Sequence, residues 1–215
     1  IEISNGDIET LRLANGNQLK AKRFVCTSGE GTEFFLQQLQ PQGITMQKRP
    51  LQMVVVKHQL QDPVYVHCVS AQMTATPELT ITTHHCKDGN IAWYLGGELA
   101  ESGAQRSKQA QEQLTRAKLK ELFPWCDFSA ARIDSLYINR AEARQSDGKR
   151  PDQNSMLCAH NMMYCWPTKL TLAPNLATSV LKELAQQGIA PTAGSNTLLD
   201  GLEKPVLAVT PWDAF

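Results

Sequence analysis

The residues Trp166-Pro167-Thr168-Lys169-Leu170-Thr171-Leu172-Ala173-Pro174 form a polar loop that runs straight into an amphipathic segment. The first peptide N–H groups of a helix lack intrahelical acceptors and carry about half a positive charge. They stabilise an anionic or electron-rich group placed on the helix axis. Thr168 and Thr171 add hydroxyls there, Lys169 adds a full charge, and Pro174 suits a first helical turn. Taken alone, the same pattern also describes an ordinary capped surface helix.

Other reactive side chains give weaker signals. His84-His85-Cys86 invites a metal reading, but neighbouring side chains on a strand point to opposite faces. Only His84 and Cys86 would share a face, and no second ligand pair has the right spacing, so no metal is expected. The six cysteines lie far apart with no CxxC pair. They read as reduced, mostly buried thiols of a cytoplasmic protein.

These residues need elements to hold them, and the composition is that of a folded protein. The chain has 215 residues, 42% of them hydrophobic and 20% charged, with a formal net charge of zero. Scattered Lys and Arg argue against nucleic acid and anionic membranes as partners. No apolar run approaches the roughly 18 to 20 residues of a membrane span. The chain opens on Ile1 inside a strand-like pattern, as expected of a cut from something longer.

Asn15-Gly16 predicts a type I′ hairpin. Phe24-Val25-Cys26 reads as a short strand, then a small-residue turn, Thr27 to Gly31, then a helix from Thr32 to Leu39. Leu51–Lys57, Val64–Val69, Leu79–His84 and Ile91–Leu95 read as strands, the last two joined by an Asp88-Gly89 turn. A helix follows from about Ser107 to Phe123, with Ala110, Leu114, Ala117 and Leu122 as its apolar face. Ile133–Ile138 returns as a strand, and 141–160 is polar and loop-like. A last helix is marked by Leu176, Val180, Leu181 and Leu184 and closed by Gly188. A short strand is expected at Val206–Val209. The fold class is α+β: a mixed or antiparallel central sheet with flanking helices.

Four stretches in order resemble the FAD-dependent amino-acid oxidase-like family, which includes D-amino-acid, glycine and sarcosine oxidases. They are Phe24 to Gly31; Lys48-Arg49-Pro50 to Val56; Thr74-Ala75-Thr76-Pro77 to His84 with Trp93 to Glu98; and the Trp166 to Pro174 loop. The resemblance implies that 1–47 belongs to an FAD-binding domain and 48–138 to a substrate domain. Residues 139–215 would return to the FAD-binding domain as the C-terminal remnant of its α/β fold. Thr27, Ser28 and Gly29 would line the cofactor side. Thr168, Lys169, Leu170 and Thr171 would face the flavin pyrimidine edge, where negative charge develops on reduction. Tyr94 and His84, on the central hairpin, would bind or orient substrate, although a core aromatic and a satisfied strand histidine need no such role. Arg140 stands where the family often has an Arg-Pro pair. Ala141 follows it here, and Arg150-Pro151 lies ten residues on. Either arginine could grip a substrate carboxylate with two hydrogen bonds.

One departure is large. No GxGxxG turn for a dinucleotide pyrophosphate occurs anywhere in the chain. The resemblance therefore implies a missing N-terminal segment on the order of a hundred residues. The expectation is an FAD-dependent oxidoreductase acting on the C–N or C–OH bond of a small amine or amino acid. The piece in hand would be inactive and inclined to self-associate through surface left bare. The alternative is a non-catalytic module that binds a small carboxylate.

Overall fold

The computed structural model describes residues 1–60, 62–71, 76–191, 202 and 204–215; Thr74 and Ala75 of the third resembling stretch lie outside them. In chain order the strands and helices are β1 (Glu2–Ser4), β2 (Asp7–Arg12), β3 (Gln18–Leu19), β4 (Phe24–Cys26), α1 (Thr32–Leu39), β5 (Met46–Lys57), β6 (Val66–Cys68), β7 (Leu79–His85) and β8 (Ile91–Gly96). They continue with α2 (Glu98–Gly103), α3 (Lys108–Leu122), β9 (Arg132–Ala143), β10 (Ser155–Ala159), β11 (Met162–Trp166) and α4 (Ala173–Gln186). The architecture is α+β. Two compact units divide it: Ile1–Arg49 with Arg140–Val206, and Pro50–Asn139 with Leu207–Phe215. The last nine residues thus group with the second unit rather than with 140–206.

The first unit holds two three-stranded sheets. In the antiparallel β1-β2-β3 meander, the type I′ turn is Asn5-Gly6, with φ of 51° and 87°, between the paired Ser4 and Asp7. The sequence pointed instead to Asn15-Gly16. There the loop is longer, closed by Leu13 N–H to Asn17 O at 2.8 Å, and only Gly16 is left-handed. A two-residue loop needs both central residues at positive φ, whereas a longer one needs a single left-handed glycine. The second sheet runs β10-β11-β4, with β11 antiparallel to β10 and parallel to β4. Every residue of β11 is buried. Met162, Tyr164 and Trp166 face a cluster with Cys26, Phe35 and Leu36, while Met163 and Cys165 pack on Leu176, Val180 and Leu184 around α4. A strand covered on both faces loses polar alternation. The stretch 141–160, expected to be loop, contains the end of β9 and all of β10.

The second unit is built on the sheet β6-β7-β8-β5-β9. Its helix-side face carries Val54, Val56, Ile81, Trp93 and Leu95, packed with Leu99, Leu119 and Phe128. The helix α3 starts where Ser107 Oγ accepts the Ala110 N–H at 3.2 Å. Its buried stripe is Gln111, Thr115 and Leu119, with Leu114 and Leu122 flanking; Ala110 and Ala117 are exposed. The apolar spacing misplaced the face because its centre is polar. Gln111 Nε2 donates to the carbonyls of Leu99 (2.8 Å) and Gln52 (3.2 Å), and Arg106 Nη1 donates to Gln111 Oε1 at 2.7 Å. A buried amide with these partners belongs inside. The expected strand at Val206–Val209 is absent: those residues pair with no strand, and Val206 is 97% exposed.

His58 sits in this core with its ring edge against Trp93, at 4.4 Å between centroids. Its Nδ1 accepts the Leu60 N–H at 3.1 Å, which places the proton of the neutral ring on Nε2. Burial holds its pKa below the usual histidine value. The unfolded chain takes up this proton at about pH 6.5, the folded chain only at lower pH. Stability from His58 is therefore complete above the ordinary value. It declines as pH falls through that value, by up to about 1.4 kcal/mol per pH unit, until the folded pKa is passed. Urea denaturation at about pH 7.5 and about pH 5 is expected to show a larger loss for the native protein than for His58→Phe. Equal losses in both proteins would contradict this assignment.

Candidate functional site

Because β4 and β11 are parallel and in register, Phe24 with Met162 and Cys26 with Tyr164, both strands end at the same edge of their sheet. The two loops singled out by sequence leave from that edge: Thr27-Ser28-Gly29 after β4, and Pro167 to Thr171 after β11. The carboxyl ends of parallel strands are where open α/β sheets place their ligands. The β4 loop is set by a small polar cluster, in which Cys26 Sγ lies 3.2 Å from Ser28 Oγ and 3.4 Å from Thr32 Oγ1. Gly29 is left-handed at φ 58°, and a methyl added there would meet nothing within 4 Å. Its backbone is open to approach by a ligand.

On the β11 side, Thr168 adopts φ 62°, a costly conformation for a branched residue. Its hydroxyl donates to the Gln153 carbonyl at 2.9 Å. That proton is therefore spent inside the loop, and Thr168 is not among the available donors. Lys169, Leu170 and Thr171 are exposed, Leu170 to 88%. The short 3-10 turn Leu170–Leu172 and α4 both begin without a side-chain cap. Of the leading N–H groups of α4, that of Ala173 already donates to Leu170 O, and Pro174 has none. Trp166 Nε1, at the end of β11, is buried and has no acceptor among the described residues. The Tyr164 hydroxyl, two residues earlier, is also without a partner there, and burial pushes its pKa up to about 12.

Arg140 and Arg150 both lie in this first unit and both are half-buried, Arg140 on β9 and Arg150 beyond the Asp147-Gly148 turn. The loop leading to Arg150 is pinned by Gln47. Its Nε2 donates to Lys149 O at 2.8 Å, and its Oε1 accepts the Gln145 N–H at 3.0 Å. Beneath this loop Arg49 makes a two-pronged pair with Glu142, Nε to Oε2 at 2.8 Å and Nη2 to Oε1 at 3.1 Å.

In the second unit, β7 and β8 pair Thr82 with Tyr94 and His84 with Ala92. The face opposite α3 therefore carries Thr82, His84 and Tyr94 together. His84 Nε2 lies 2.9 Å from Thr82 Oγ1, and its ring is 6.0 Å from Tyr94. Burial lowers the His84 pKa, which favours the neutral ring. Trp212, which by sequence reads only as a core or interface anchor, stacks its ring on His84 at 3.7 Å. The local signal was Thr210-Pro211-Trp212-Asp213, a turn in which Thr210 Oγ1 donates to Asp213 Oδ2 at 2.7 Å. Among the described residues, no group of three or more His, Cys, Asp or Glu side chains could hold a metal ion. No helix among them is long and apolar enough to cross a membrane.

No protein-family model matches the chain. It is 38% identical over 200 residues, 93% of its length, to a Pseudomonas aeruginosa protein named a probable FAD-dependent oxidoreductase, PA4991. The crystal structure of the FAD-dependent oxidoreductase PA4991 superimposes with a TM-score of 0.85 at 37% identity, covering 98% of this chain and 57% of that one. The chain spans about half the length of the curated relative it matches, 50%. In sequence and in fold it is similar to one half of a protein named for oxidation–reduction with FAD.

Proposed function

We propose that the chain is the C-terminal half of an FAD-dependent oxidoreductase of the amino-acid oxidase-like type. In this reading a segment N-terminal to it carries the GxGxxG turn. The observation that carries the proposal is the 38% identity sustained over 93% of the chain. Residues 1–47 and the stretch from 139 to 206 belong to the FAD-binding domain, and 48–138, with which the last nine residues group, forms the substrate domain. The chain by itself is inactive.

The residues present fit the cofactor. FAD, when bound, would supply the acceptor for a hydride equivalent taken from the C–H carbon that bears the amine nitrogen or the hydroxyl. Thr27, Ser28 and Gly29 give a turn with open backbone. Lys169 and the Thr171 hydroxyl, on either side of the exposed Leu170, offer positive charge and a donor where negative charge builds up on reduction. In the first unit, Arg140 or Arg150 is the candidate grip for a carboxylate. In the second unit, Tyr94 and the neutral His84 are the candidates for orienting a small amine, in a cytoplasmic enzyme. Val25 (41% exposed), Phe34 (50%) and Leu170 (88%) are the apolar surface through which an isolated chain would self-associate.

The test is anaerobic mixing of the whole flavoprotein with a series of primary amines and amino acids, following the loss of flavin absorbance. At least one amine or amino acid is expected to reduce it. Arg140→Met or Arg150→Met is expected to raise KM for the amino acid about 100-fold and to leave an uncharged amine unaffected. Reduction by no amine, with reduction by a hydroxy acid instead, would move the chemistry to a C–OH bond. Reduction by neither class would contradict the proposal.

A further inference from the structure

We propose that the hexapeptide Thr210–Phe215 is a fixed wall of the substrate site, and that Trp212 within it limits the bulk of the amine that reaches Tyr94 and His84. This rests on the flavoenzyme reading above and deepens it, because it names the residue that sets substrate size.

The geometry carries the inference. The Trp212 and His84 rings are stacked at 3.7 Å and 16°, a separation that leaves no room for a ligand between them. Trp212 also stands 5.9 Å from Tyr94 at 69°. The three rings enclose one patch of the β7–β8 face opposite α3. Anything touching Tyr94 and the free edge of His84 must pass beside the indole.

The hexapeptide is held at several points, as expected of a wall. Asp213 Oδ1 accepts the Lys87 N–H at 2.8 Å. The turn closes on itself through Asp213 N–H and Ala214 N–H to Thr210 O, both at 3.0 Å. Phe215 lies under the Arg132 guanidinium at 4.9 Å and packs with Val55, Cys86 and Leu136. Cation–π contact and burial both resist lifting it. Pro211, Ala214 and Phe215 also line a small cavity of about 140 Å³ beside Leu136 and Ser135, apart from the three rings.

The experiment uses the whole protein with Trp212→Ala and Trp212→Phe, and primary amines graded from methylamine to benzylamine. In Trp212→Ala the ratio of kcat/KM for benzylamine to that for methylamine is expected to rise at least tenfold, while Trp212→Phe stays near the native ratio. The same ratio in all three proteins overturns the proposal. The second readout needs no flavin: NMR signals of the His84 and Trp212 rings are followed as benzylamine is added to the whole protein. Shifts at both rings support the wall; unmoved signals at saturating benzylamine overturn it. Failure of the flavoenzyme reading would show separately, as a whole protein without flavin absorbance.

Discussion

Replacing Arg49 by Met in the whole protein is expected to cost about 3 to 5 kcal/mol of folding stability, read as a drop in the urea midpoint. Glu142 is 1% exposed at its side chain and Arg49 17%. Their two short hydrogen bonds compensate a carboxylate that water does not reach. Gln47 Nε2 also reaches Glu142 Oε2, at 3.3 Å, and brings no charge. Removing the guanidinium therefore strands a buried charge, which is the costly way to break such a pair. With a total stability in the usual range of about 5 to 15 kcal/mol, this is a large share. The double variant Arg49→Met with Glu142→Leu removes both charges and is expected to recover most of the loss. A single variant costing under about 1 kcal/mol would show that the pair is exposed and screened. A double variant as unstable as the single would show that packing, not charge, is at stake.

The parts of the fold legible in the sequence are those with local causes. Ser107 caps α3, Pro124 follows its end, and β7 and β8 alternate around Asp88-Gly89. What escaped depended on the surroundings. In β11 all five residues are buried, so no polar alternation marks a strand. The inner stripe of α3 centres on Gln111, which is buried because Gln52 and Leu99 present carbonyls to it. The type I′ turn belongs to Asn5-Gly6 because the strands on either side leave two residues between them, and composition alone favoured Asn15-Gly16 equally.

The candidate site divides in the same way. The loops after β4 and β11 were recognisable one at a time, but their shared edge follows from a parallel pairing between residues far apart in sequence. Thr168 looked like a free donor and is occupied by Gln153. Trp212 approaches His84 from the far end of the second unit's chain, and no local pattern announces a contact across that distance.

The largest functional effect expected concerns FAD itself. The dinucleotide needs a glycine turn whose backbone meets its pyrophosphate, and this chain contains none. In the proposed reading, the Gly29 turn and the Lys169 to Thr171 loop reach only the redox-active end of the cofactor. Losing a phosphate cradle worth several hydrogen bonds, at about 1.4 kcal/mol per tenfold, should weaken binding by at least about 100-fold. The isolated chain is therefore expected to purify colourless and to stay so with micromolar FAD. The decisive measurement is the FAD content of the whole protein, by absorbance and by release of the cofactor on denaturation. One FAD per chain is the predicted result. A whole protein that is folded, carries no FAD and takes up none when it is added would contradict the account.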